Sequence, residues 1–551
     1  MNRHFLLNLF CLLFIGVSAQ QTKRYSELLN MVYHNPGEPK WETKYLYPNY
    51  LDSLGYTGQI PKMEVQCGLT YDNFEDEIIP LKTDERLWIE RHAASIRTQI
   101  DNSKKAGLPL YPFTDVLVLP VSLLEKYDTE LKIDEKFSIK RKRTQQILRA
   151  QITEIFERFP DLDGLTIRHG ETYVHDTPYH KGETPVRTAE EHAIMINILK
   201  EEICLKRNKK LFYRTWDFGW FHTQPKFYLD ATNPVKPHPL LFFCIKHVNY
   251  DFNRGYPFNT TIGLGKHQQI IEVSMNQAGC YGNNSHPYYI GKGIIEHWSE
   301  MEVKKGLIDL YEDSKIKGVW TWTGGDGWVG PYFDNELWMD LNEYIIRTFV
   351  HNPKKTEEDI FMDYAINQLK LSDLDAKKFR QLNLLSTDAV YYGQASKHFF
   401  ADTWWCRDHY LSAIDLKEVI RKEIIDKVLD EKEKNLENWY LMEKLAQEIT
   451  IPKPELDSFL KVSTTYGRIK YEIMAIIWKI QIAKAKVDLK RPINHEKVQE
   501  YIKDYRIKWQ EWVQLKKDYP NCPTLYVDHT SMHTNEPFQE TLIFFDSFLK
   551  S

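Results

Sequence analysis

Between Met63 and Phe349 the chain alternates short apolar runs with longer amphipathic stretches, and this alternation limits its fold more than any other feature. Residues 65–70, 110–119, 164–167, 210–214, 240–246, 270–275 and 318–322 read as buried strands. They are short and almost continuously apolar, as expected of strands covered on both faces. Residues 84–106, 141–158, 189–206 and 286–305 lie between them and carry apolar side chains at helical spacing. Strand–helix alternation sustained over roughly 290 residues predicts a parallel sheet closed as a (β/α)8 TIM barrel. An open doubly wound sheet is the structural rival, but no strand here is followed by a Gly-rich phosphate fingerprint.

Beyond Asn352-Pro353 the pattern becomes helical. Residues 356–371, 373–396, 417–449, 453–488 and 494–517 place Leu, Ile, Tyr and Trp at helical spacing between dense Lys and Glu. The sequence therefore divides into a barrel at 61–352 and an all-α C-terminal domain at 353–551. The adjacent pair Trp404-Trp405 cannot share one helical face, so one of the two is a candidate to reach the barrel mouth. Residues 20–60 are rich in Pro, Tyr, Asn and Gly without a sustained period and read as an N-terminal extension. Ahead of them, Arg3 and His4 precede an apolar run at 5–17 that closes on Val17-Ser18-Ala19. That run is too short to span a bilayer comfortably and predicts a signal peptide at 1–19, cleaved near Ala19, with export to the periplasm or beyond.

Charge and cysteine usage narrow the partners. The net charge is −5 and no long basic run occurs, which gives no electrostatic footprint for nucleic acid and no polybasic membrane patch. No stretch after the leader reaches transmembrane length. Cys67, Cys204, Cys244, Cys280, Cys406 and Cys522 are scattered without metal-type pairs, so neither a zinc site nor a disulfide scaffold is expected, and no metal or cofactor is called for. The chain holds 15 Trp, 32 Tyr and 27 Phe, an abundance that suits stacking on the C–H faces of sugar rings as well as large cores.

A TIM barrel builds its active site at the C-terminal ends of its strands. Those ends are polar here: Arg168-His169-Gly170-Glu171, Arg214 with Trp216-Asp217, Lys246-His247 with Asn249 and Asp251, Glu272 with Asn276-Gln277, and Gly324-Gly325-Asp326-Gly327-Trp328. Three cations and at least two carboxylates on one rim suit glycoside cleavage, in which one carboxyl protonates the leaving oxygen and another activates water or attacks carbon. Three cations exceed the needs of a neutral sugar, and a ligand carboxylate would satisfy them; pairing with protein carboxylates is the alternative.

At these positions residues 160–350 resemble the catalytic core of glycoside hydrolase family 67, the α-glucuronidases. The similar segments are Pro160 through Glu171, Arg187-Thr188 through Phe212-Tyr213-Arg214, and Ile271 through Gln277. They also include the Gly325-Asp326-Gly327-Trp328-Val329-Gly330 loop. The best match is Ile245-Lys246-His247-Val248-Asn249-Tyr250-Asp251-Phe252-Asn253-Arg254-Gly255-Tyr256-Pro257-Phe258. The resemblance implies removal of a uronic acid from a glycan by an inverting mechanism. Glu171 would be the general acid and Asp251 the base, with Arg168, Arg214, Lys246, Glu272, Asp326 and Trp328 binding substrate. The sequence departs from the family where a second basic Glu is expected, since Ala278-Gly279 follows Asn276-Gln277. A barrel glycosidase acting on neutral or acetamido sugars, and a non-catalytic glycan-binding relative, are the competing readings. They separate on whether the three cations meet without carboxylate partners and on whether any glycan is cleaved. The oligomeric state is not written in the sequence.

Overall fold

The computed structural model describes residues 25–32, 42–170, 177–217, 219–250, 252, 256–275, 288, 290–298, 303–323, 337–399, 416–519 and 539–550. Eight parallel strands form one sheet: β1 (Glu27–Met31), β2 (Gly58–Gln59), β3 (Phe113–Asp115), β4 (Gly164–Arg168), β5 (Lys210–Arg214), β6 (Leu241–Lys246), β7 (Gln268–Ser274) and β8 (Ile316–Trp322). From β3 onward each strand pairs in parallel with the next in sequence, and β8 returns to β1 with Glu27 opposite Gly318 and Met31 opposite Trp322. β1 pairs in turn with β2. A parallel bridge from Gln59 to Leu110 closes the seam between β2 and β3. The Tyr111 amide donates to the Gln59 carbonyl and the Phe113 amide to that of Pro61, both at 2.9 Å. The sheet is a closed (β/α)8 barrel, followed by an all-α region.

The first two strands fall within residues 20–60, the stretch that composition alone sets apart as an extension. β1 is five residues and β2 only two, too short to show a period in the sequence. Residues 65–70 are a short helical turn, Val65–Gly68, entered through Glu64 at φ 49° rather than a strand. The apolar run at 110–119 contributes only β3 to the barrel. Leu117 turns the chain at φ 59°, and Val118–Pro120 then pairs antiparallel with His180–Gly182. Between β6 and β7 no α-helix occurs among the described residues. The amides of Asn249 and Asn259 bond there to the carbonyls of Pro257 and His247 at 3.0 and 2.9 Å.

Side chains alternate across each strand and divide the barrel into two cores. Leu29, Met31, Phe113, Phe212, Phe242, Cys244, Ile270, Trp320 and Trp322 fill the interior as one cluster. Leu28, Leu165, Ile167, Leu211, Tyr213, Phe243, Ile245, Ile271, Val273 and Val319 face outward into the packing with the helices. The N-terminal end of the interior is closed by Lys210 and Glu27, paired at 2.7 Å.

The helices begin and end where their caps predict. The Thr83 hydroxyl accepts from the Arg86 amide at the start of Asp84–Ala106, and Gly107 ends it at φ 78°. Thr188 and Glu191 form a capping box on Ala189–Leu199. Residues 417–449, a single helix by spacing, form two, Leu416–Arg421 and Ile425–Glu448, because Glu423 takes a left-handed φ of 55° between them. In the C-terminal region Trp439 stacks on Tyr471 at 4.7 Å. A Cβ on Gly467 would stand 2.1 Å from the Trp439 ring, so glycine is what lets those two helices close. Trp338 lies on Leu337–His351, the helix after β8, and stacks on Phe379 at 5.8 Å, joining the barrel to the helices beyond it. No helix among the described residues is long and apolar enough to cross a membrane. Cys67, Cys204 and Cys244 are buried thiols, held above their usual pKa by burial.

Candidate active site

The alternation that sends Phe113, Phe212, Cys244, Ile270 and Trp320 inward also sends inward the residues two positions further along. These are Asp115, Arg214, Lys246, Glu272 and Trp322, joined by Arg168 at the end of β4 and Ser274 at the end of β7. The C-terminal end of the barrel is therefore lined by charge and indole over an apolar floor.

Most of that charge is paired within the protein. Arg168 bonds Asp115 through Nε and Nη2, the latter at 2.5 Å from Oδ2, between residues that stand opposite each other in the β3–β4 register. The two side chains are 1% and 4% exposed. The Arg168 guanidinium also lies 4.9 Å from the Phe113 ring. Arg214 reaches past β6 to β7, where its Nε donates to the two Glu272 oxygens at 3.1 and 3.0 Å. The same guanidinium lies 4.7 Å from the Trp322 ring and 5.7 Å from that of Trp320. Lys246 Nζ stands 3.7 Å over Trp216 and 4.4 Å over Phe252. Burial pushes the Glu272 carboxyl above its ordinary pKa, while Arg214 and Lys246 pull it back. Burial drives His169 down to about 4 and His247 to about 3, so both imidazoles are neutral at pH 7 and add no charge to the rim.

The structure thus brings Arg168, Arg214, Lys246 and Glu272 together at the barrel end. Two of the three cations, however, already hold a protein carboxylate rather than standing ready for a ligand's. The residue missed was Asp115. Its signal was a carboxylate inside the apolar run Phe113-Thr114-Asp115-Val116, where a charge without a partner is too costly to keep. Asp217, also on the rim, serves the backbone: its oxygens accept the amides of Gly219, Phe221 and His222 at 2.9, 3.3 and 3.4 Å. Glu171, Asp251, Asp326 and Trp328 lie outside the described residues, as do Trp404, Trp405 and the Ala278-Gly279 step. No cluster of His, Cys, Asp and Glu suited to a metal occurs among the described residues.

No protein-family model matches the chain, and no curated protein matches it either. Among solved structures it is similar to dispersin B, at 10% identity and a TM-score of 0.33 over 60% of this chain and 98% of that one. It is similar to the pneumococcal virulence factor StrH at 11% identity and a TM-score of 0.35, over 66% and 92% of the two chains. A chitobiase of Flavobacterium johnsoniae matches at 11% identity and a TM-score of 0.34, over 88% and 75%. The likeness of residues 160–350 to the α-glucuronidases stands on their motifs alone.

Proposed function

We propose that this chain is an exported glycoside hydrolase that takes a neutral or acetamido sugar into the C-terminal mouth of its barrel. One observation carries the choice of substrate: Arg168 and Arg214 already hold Asp115 and Glu272 as buried partners. A ligand carboxylate would have to compete with those two groups, and a buried carboxylate stripped of its arginine is strongly destabilising. A neutral ring asks only for hydrogen bonds and apolar contact, and Trp216, Phe252, Trp320 and Trp322 are the aromatic residues gathered at that end of the barrel. In this reading Glu171, just beyond β4, protonates the leaving oxygen, and Asp251, just beyond β6, takes the proton of the attacking water. Inversion then calls for a carboxyl separation of about 6.5–9.5 Å.

Uronic-acid removal keeps one specific support. Arg168, Arg214 and Lys246 do meet at the C-terminal end of the interior, the arrangement that the α-glucuronidase resemblance implies, with Asp115, Asp217 and Glu272 beside them. The deciding experiment incubates the purified protein with oligosaccharides ending in neutral, acetamido or uronic residues and measures the monosaccharide released. Release of a neutral or acetamido sugar is expected. Release of uronic acid alone would return the substrate to the α-glucuronidase type, and no release from any substrate would leave a glycan-binding protein.

A further inference from the structure

Buried polar groups in folded proteins nearly always find partners, and one left alone costs free energy that selection tends to remove. Three such groups gather around Glu272 inside the barrel. Ser274 Oγ, Arg214 Nη1 and Trp320 Nε1 are buried and have no hydrogen-bond partner among the described residues. Their placement is common to all three. Ser274 follows Glu272 on the inward face of β7 and stands opposite Trp322, while Glu272 stands opposite Trp320. Arg214 contacts Glu272 through Nε, which leaves Nη1 over, and its guanidinium lies 5.7 Å from the Trp320 ring. Arginine and indole nitrogens only donate, whereas a serine hydroxyl donates and accepts. Each therefore calls for an oxygen acceptor, and Ser274 can also take a bond.

We infer that Ser274 is a substrate-binding residue, whose hydroxyl bonds a hydroxyl or carbonyl oxygen of the bound sugar in the neighbourhood of Arg214 Nη1 and Trp320 Nε1. The inference rests on the glycosidase reading and makes it specific: the sugar enters far enough to reach the inner face of β7, and recognition there is by donors to a neutral oxygen. Ser274 is 1% exposed and stands at the end of β7 toward the mouth, so the group it bonds must reach below the rim. Its position two residues past Glu272 also leaves the Arg214–Glu272 pair intact when it is changed.

The test is Ser274→Ala, assayed on the best substrate of the wild-type protein and on the matching deoxy or des-carbonyl analogues. Because the hydroxyl holds no partner among the described residues, the variant is expected to melt no lower than wild type. KM is expected to rise roughly three- to tenfold, the worth of one neutral hydrogen bond, with kcat little changed. One deoxy analogue should be insensitive to the substitution, which identifies the oxygen held. Unchanged KM on every substrate would overturn the inference and leave a bound water as the partner of Ser274, with the glycosidase reading standing. A lower melting temperature with unchanged KM would overturn it in favour of a packing role. Absence of turnover by the wild-type protein would remove both readings at once.

Discussion

Arg214 on β5 passes over β6 to hold Glu272 on β7, with its Nε 3.1 and 3.0 Å from the two carboxylate oxygens. Asp115 and Arg168 make the equivalent contact between β3 and β4. Removing one partner from either pair leaves a charge buried with nothing opposite. Glu272→Ala and Asp115→Ala should each lower stability by about 3–5 kcal/mol. The doubles Asp115→Leu/Arg168→Met and Glu272→Leu/Arg214→Met should lose much less. Urea unfolding of these four variants beside the wild type measures the difference, and doubles as unstable as the singles would show that the pairs do not act as units.

A second carboxylate sets a pH dependence away from the mouth. Glu343 lies on the helix after β8, and burial raises its pKa to about 7 although Arg347 Nε stands 2.8 Å away. Its folded pKa exceeds its unfolded value, so its contribution is fully present below about pH 4.5 and is lost as pH rises through 7. Asp340 and Lys44 also act on the carboxyl, in opposite senses. The wild-type protein should lose up to roughly 3 kcal/mol over that window. Glu343→Gln should flatten the profile of stability against pH, and identical profiles would show that Glu343 is not the group that titrates.

Glu171→Gln should lower turnover of a natural glycoside by about 10²–10⁴-fold, the usual contribution of a general acid. The loss should be far smaller on aryl glycosides whose leaving groups need no proton. Asp251→Asn should slow both kinds of substrate alike, since the water must still be deprotonated. Equal loss on both by Glu171→Gln would remove it as the acid. Retention of anomeric configuration in the product, read by proton NMR, would make Asp251 a nucleophile instead.

Export should trim the chain. Protein recovered from outside the cytoplasm is expected to begin near Gln20, which N-terminal sequencing or intact mass measures. Exported protein still carrying Met1 would rule out cleavage after Ala19.

How far the sequence reached depends on how local each cause is. β5 is recovered with both its ends, and the helix Asp84–Ala106 likewise, because each carries its own pattern and its own stops. The inward direction of Arg214, Lys246 and Glu272 follows from period two, which a strand obeys wherever it is placed. β1 depends instead on β8, far along the chain, and β2 on β1 and on the bridge to Leu110. Glu27–Met31 is a strand because β8 offers it an open edge, and nothing in five residues announces that. The break at Glu423 likewise depends on how the helices pack, since the spacing runs on through it.

The sequence by itself determined the barrel class, the helical region after it and the set of charged residues at the strand ends, since all three rest on periodicity and order along the chain. Only the tertiary structure decided what those charges meet. Asp115 and Arg168 are 53 residues apart, Arg214 and Glu272 58 apart, and each pair exists because two strands are brought side by side or one apart. Pair energies inside a protein depend on distances of a few ångströms and on excluded water, and neither quantity is carried by position along the chain. A rim that spacing allows to be a carboxylate trap is, once folded, largely neutralised by its own side chains.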